Sequence, residues 1–81
     1  MGTARRRRQP KGMPGKLLAI RIKLGLSQTE MARHLELKKA YTVISSYERG
    51  TREPDLVTLL RYARLAEVSV ETLVDDHAKL P

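Results

Sequence analysis

The chain predicts an all-α domain, a compact bundle of five short helices, and three observations carry that expectation. Apolar residues recur at helical spacing in most segments after residue 15. Each such segment is bracketed by capping or stop residues. The aromatic residues, which favour strands, number only three, all Tyr. With 81 residues there is room for one domain and one modest core.

The first helix is read over Lys16 to Leu24, where Leu17, Ile20 and Leu24 fall at i, i+3 and i+7 before the stop signal Gly25. Arg21 shares that stripe, so a charge points at the core and needs a carboxylate there. Ser27-Gln28-Thr29-Glu30 has the pattern of a capping box and opens a second helix carrying Met31, Ala32 and Leu35, ending near Glu36. A third runs from about Ala40 to Arg49, with Val43, Ile44 and Tyr47 inward and Gly50 as its cap. Pro54-Asp55 opens a fourth with Leu56, Leu59, Leu60 and Ala63, and Ser69 caps a fifth with Leu73 and Val74. The expected core is Leu17, Ile20, Leu24, Met31, Leu35, Ile44, Tyr47, Leu56, Leu59, Ala63, Val68 and Leu73.

Residues 1–15 combine Gly, Pro and a four-Arg run with little to bury, and read as a disordered basic arm. The folded domain is then residues 16–76, followed by a tail over 77–81. The net charge of +7 is unevenly spread. Residues 1–16 hold six basic side chains and no acid, residues 21–52 seven basic against three acidic, and residues 66–78 four acids with no Lys or Arg. A basic end and an acidic end suit a domain that meets an anionic partner with one face.

Several classes find no support. There is no Cys for disulfides, thiolate catalysis or thiolate metal ligation, and no apolar run approaching the roughly 20 residues of a membrane span. The expected location is cytoplasmic. His34 and His77 lack metal-ligand company, no Gly-rich phosphate loop is present, and no catalytic residues, cofactor or small-molecule effector are expected.

Two short helices joined by a brief turn and followed by a Gly-capped basic loop are the parts of a helix-turn-helix. Three stretches make the likeness specific: Gly25-Leu26-Ser27-Gln28-Thr29-Glu30-Met31-Ala32, then Ile44-Ser45-Ser46-Tyr47-Glu48-Arg49-Gly50-Thr51-Arg52-Glu53-Pro54, then Val68-Ser69-Val70-Glu71-Thr72-Leu73. Their order and spacing resemble the signature of the Cro and phage-repressor (XRE-like) helix-turn-helix family over roughly residues 16–76. The resemblance implies a lambda-repressor-like bundle in which helices two and three form the helix-turn-helix and helix three enters the major groove of double-stranded DNA.

Carried onto this chain, the resemblance makes Tyr41, Thr42, Ser45 and Ser46 the base-contact candidates and Gln28, Arg33, Lys38, Lys39, Arg49, Thr51 and Arg52 the phosphate candidates. It also pairs Arg21 with Glu48 as a buried structural ion pair fixing the angle of the reading helix. It implies a transcriptional regulator of repressor or controller type and a homodimer on a two-fold symmetric operator; since the reading face lies elsewhere, helix five and its flanks, with Val70, Val74 and Leu80, are the candidate dimer surface. A helical adaptor that binds protein is the competing class, and salt-dependent duplex binding with at least about a hundredfold sequence preference separates the two.

The chain departs from the family pattern in three places. The connection before Ile44 is two residues longer than the common spacing. Glu36 and Glu67 stand where glycines are usual, and Glu67 is expected to end the fourth helix without easy access to a left-handed backbone.

Overall fold

A computed structural model describes residues 9–38 and 42–81. Among them the chain forms five α-helices and no strand: α1 (Met13–Leu24), α2 (Gln28–His34), α3 (Thr42–Arg49), α4 (Leu56–Ala66) and α5 (Val70–Val74). Helix α1 packs on α3, α4 and α5, with α2 against α3 and α4 against α5.

The N-terminal boundary lies earlier than sequence composition suggests. Helix α1 begins at Met13, whose side chain is fully buried, and Pro14 occupies its first turn, where a missing N–H costs nothing. Its capping group comes from the other end of the chain: the Asp76 carboxylate accepts from the Gly12 N–H at 2.8 Å and the Lys11 N–H at 3.0 Å. In return, Lys16 Nζ donates to the carbonyls of Thr72 at 2.7 Å and Asp75 at 2.9 Å, at the C-terminal end of α5. Residues 9–15 therefore belong to the folded body, not to an arm. Residues 1–8 lie outside the described residues. The expected tail over 77–81 is likewise corrected, because Leu80 packs against the core.

The first four helices close in the same way. A residue with positive φ follows each one, at Gly25 (72°), Glu36 (60°), Gly50 (80°) and Glu67 (59°). Around each, two backbone bonds turn back into the helix, as from Gly25 to Ile22 and Leu26 to Arg21, or from Glu67 to Arg64 and Val68 to Ala63. The expectation for Glu67 is thus reversed: an L-residue occupies the left-handed region because Val68 is drawn into the core beside it. The strain costs roughly 1–2 kcal/mol. Gly50 has a second reason to be glycine, since a Cβ there would stand 3.1 Å from Pro14 Cγ.

The core comprises Met13, Leu17, Ile20, Met31, Ala32, Leu35, Ile44, Tyr47, Leu59, Tyr62, Ala63 and Leu73. Three expected members are outside it, of which Val68 is partly buried and packs against it. Leu24 is 40% exposed at the last turn of α1, and Leu56 is 73% exposed at the first residue of α4. Helix α4 is rotated so that Thr58, Leu59, Tyr62 and Ala63 face inward, and Asp55 caps it through the Thr58 N–H at 2.8 Å. Tyr62 is the largest fully buried side chain. Its hydroxyl is buried without a hydrogen-bond partner.

Candidate nucleic-acid interface

Helices α2 and α3 pack together, and α3 turns the sides carrying Ile44 and Tyr47 into the core. The opposite side presents Thr42, exposed, with Ser45 and Ser46 half-buried. Three small hydroxyl residues make a helix face that a groove floor can approach closely. Ser46 Oγ donates to the Thr42 carbonyl at 3.2 Å, so its lone pairs, not its proton, point outward. Arg49 and, beyond Gly50, Thr51 and Arg52 are exposed, as are Arg33 on α2 and Lys38 after it. Tyr41 and Lys39 lie outside the described residues.

The start of α2 is closed by a capping box. Ser27 and Glu30 satisfy each other's backbone groups, Glu30 N–H to Ser27 Oγ at 3.0 Å and Ser27 N–H to Glu30 Oε1 at 2.8 Å. Those bonds hold the Glu30 carboxyl below its usual range. Helix geometry leaves the N–H groups of Gln28 and Thr29 without an intrahelical partner, directed away from the first turn.

Behind this surface, one carboxylate ties three helices together. Glu48, near the end of α3, accepts from Arg21 Nε at 2.6 Å and Arg21 Nη2 at 3.1 Å, a two-pronged pairing with a residue of α1. The same carboxylate accepts from Gln28 Nε2, on the first residue of α2, at 3.1 Å. Arg21 Nη1 donates to the Leu26 carbonyl in the intervening turn at 3.0 Å. The two charged side chains are 16% and 6% exposed, and the pairing with Glu48 raises the affinity of Arg21 for its proton despite burial. Tyr62 lies within the field of the pair, and burial, then the Glu48 charge, push its hydroxyl well above the ordinary tyrosine range.

This geometry changes the reading of two phosphate candidates. Gln28 is half-buried and its amide already donates to Glu48, so its side chain braces the start of α2. Thr51 spends both its N–H, at 3.0 Å, and its hydroxyl, at 3.3 Å, on the Ser46 carbonyl. Thr51 thus shapes the loop, and contacting a phosphate requires its hydroxyl to turn. Sequence reasoning did not find Gln28 in the ion-pair cluster or the helix-capping role of Asp76, because a contact between distant segments leaves no local pattern.

Among the described residues no group of His, Asp and Glu is placed to hold a metal ion, and no helix is long and apolar enough to cross a membrane.

Comparison with known proteins gives a consistent picture. Residues 17–73 match the family described as Helix-turn-helix. No curated protein matches the chain's sequence. A crystal structure of the P22 c2 repressor protein in complex with synthetic operator 9T in the presence of Tl+ superposes with a TM-score of 0.70 at 25% identity, covering 79% of this chain and 94% of that one. The SinR protein/SinI protein complex superposes with a TM-score of 0.68 at 28% identity, covering 79% of this chain and 61% of the matched one.

Proposed function

Because the chain belongs to the Cro and phage-repressor type of the helix-turn-helix family, we propose that it regulates transcription by occupying a specific double-stranded DNA site through α3. The observation that carries this reading is the pairing of a close-packing hydroxyl face, Thr42, Ser45 and Ser46, with a three-helix polar cluster that fixes its angle from behind. On this reading Tyr41, Thr42, Ser45 and Ser46 meet base edges. Serine and threonine hydroxyls pair with several bases, and the Thr42 methyl can contact a thymine methyl. Gln28, Arg33, Lys38, Lys39, Arg49 and Arg52 hold phosphates, with Thr51 shaping the loop between them. The protein has no catalytic role and acts in the cytoplasm, as a small repressor or controller without an effector ligand.

One reading helix spans too few base pairs for tight binding, which favours a homodimer with heads about one DNA turn apart. The surface that supports such a contact is where α4 and α5 meet residues 53–55. There Leu56 and Val57 are 73% and 54% exposed, beside a hollow of about 680 Å³ whose walls include Leu59, Val70 and Val74. Leu80 lies in a different hollow, against α1, and is withdrawn from the interface.

The test is selection of bound duplexes from a random pool at two salt concentrations, with Thr42→Ala and Ser46→Ala alongside. Enrichment of a two-fold symmetric site, relaxed in the variants, is the expected result. With about six phosphates neutralised per half-site, the logarithm of affinity falls against the logarithm of salt with a slope near −5. Binding indifferent to sequence in every variant would overturn the reading and favour a protein-binding adaptor.

A further inference from the structure

We propose that Arg61, on α4, is a positioning residue for DNA binding: by holding the Leu35 carbonyl at the end of α2 and balancing the Glu36 carboxylate, it fixes the stretch that presents Lys38 to a phosphate. The inference rests on the DNA-binding reading above and adds to it a residue that does not itself touch the DNA.

The need for such a residue arises where α2 stops. Three carbonyls of its last turns find backbone donors: Met31 accepts from Leu35 at 2.9 Å, Ala32 from Leu37 at 2.9 Å and Arg33 from Glu36 at 3.0 Å. The carbonyl of Leu35, the residue that closes the helix, accepts instead from Arg61 Nη1 at 3.0 Å. The end of a helix carries partial negative charge, so a guanidinium is a fitting donor there. The second arm of the same side chain, Nη2, lies 3.5 Å from Glu36 Oε1. One planar fork thus serves acceptors on two consecutive residues, which the compact ammonium of a lysine matches poorly.

Glu36 is the residue that most needs holding. Its φ of 60° is a region that an L-residue enters only under constraint. Its carboxylate is 72% exposed and falls in sequence between Arg33 and Lys38, both exposed and both candidates for phosphate contact. An unbalanced negative charge there repels the phosphates those two side chains would hold, and the Arg61 guanidinium beside it offsets that charge. The backbone is pinned on both sides of Glu36, at Leu35 by the Arg61 bond and at Leu37 by packing against the core. Lys38 is the next residue. Arg61 is 35% exposed with both arms engaged, so it acts on this stretch from α4 and is not a free cation for the DNA.

The test measures the salt dependence of binding to the selected operator for the full chain, Arg61→Met, Lys38→Met and the double variant, each well below its own melting temperature. Loss of one seated phosphate contact makes the slope shallower by about 0.9 per half-site. The expected result is that shift in Lys38→Met, a similar shift in Arg61→Met, and no further shift in the double variant, because Arg61 acts through Lys38. A double variant shallower by about 1.8 would overturn the proposal by making Arg61 a phosphate contact in its own right. A lowered melting temperature with an unchanged slope in Arg61→Met would also overturn it, leaving a structural tie alone, as would an unchanged slope in Lys38→Met. Arg61→Lys keeps the charge but not the fork, and serves the same cycle if Arg61→Met fails to fold. Its expected shift is in the same direction and smaller, and an unchanged slope counts against the proposal. A parent chain that selects no operator would remove the underlying DNA-binding reading itself.

Discussion

The two ends of the domain are held together by different forces. At the reading end, α1, α2 and α3 meet on the Glu48 carboxylate through directional bonds from Arg21 and Gln28. At the other end, α4 and α5 meet through Leu59, Ala63 and Leu73, with exposed Leu56 and Val57 beside them. Apolar burial stabilises but is non-directional, whereas a two-pronged charge pair holds an angle as well as a distance. The contrast teaches that a buried charge pair sets the angle between α1, α2 and α3, whereas α4 and α5 cohere by burial.

Removing one partner of the aimed pair is the largest way to break this contrast. Glu48→Gln, or Arg21→Met alone, is expected to cost about 3–5 kcal/mol in chemical denaturation, because the remaining charge stays buried without its partner. The change is also expected to broaden base preference. Near-neutral values for both would show that the cluster is incidental. Leu73→Ala, at the apolar end, is expected to cost about 2–4 kcal/mol by the same measurement yet leave the ranking of DNA sequences unchanged. A changed ranking would show that the two ends are coupled.

A smaller effect of opposite sign is expected at the helix ends. Gly25 and Gly50 adopt positive φ at little cost, whereas Glu36 and Glu67 adopt it against their Cβ atoms. Glu67→Gly is expected to stabilise by up to about 1 kcal/mol in thermal unfolding. Glu36→Gly should gain less, since it also gives up a 3.5 Å contact with Arg61. A loss of stability at Glu67 would mean its side chain contributes something its exposure does not suggest.

The smallest expected effect is with acid. Backbone N–H bonds hold the carboxyls of Glu30, Asp55 and Asp76 below their ordinary values. Groups lowered in the folded state contribute stability that is fully present above the ordinary carboxylate value of about 4, and lost as pH falls through the lowered values. Melting temperature should therefore be insensitive to these groups near neutrality and drop below pH ~4, and Asp55→Asn with Asp76→Asn should flatten that drop. An unchanged acid profile in the double variant would show that these caps add nothing measurable.

Much of this was legible in the sequence, for reasons that are local. The Ser27 and Glu30 capping box, the Gly25 and Gly50 stops, and the Asp55 and Ser69 caps are bonds between residues three to five apart, so the local order of residues specifies them. The inward stripe of α1 likewise required an anionic partner for Arg21, although only the family resemblance pointed to Glu48. What the tertiary structure decided lies between distant segments. Asp76 reaches back to cap Gly12, which moved the start of the domain to Met13. The rotation of α4 took Leu56 out of the core and put Tyr62 into it, because the neighbouring helices, not the period of α4, set which side is covered. Glu67 became left-handed because burial of Val68 outweighed the local strain. Periodicity and capping chemistry are properties of adjacent residues and determine which segments are helices; which faces those helices bury depends on partners that are distant in sequence and close only in the folded state.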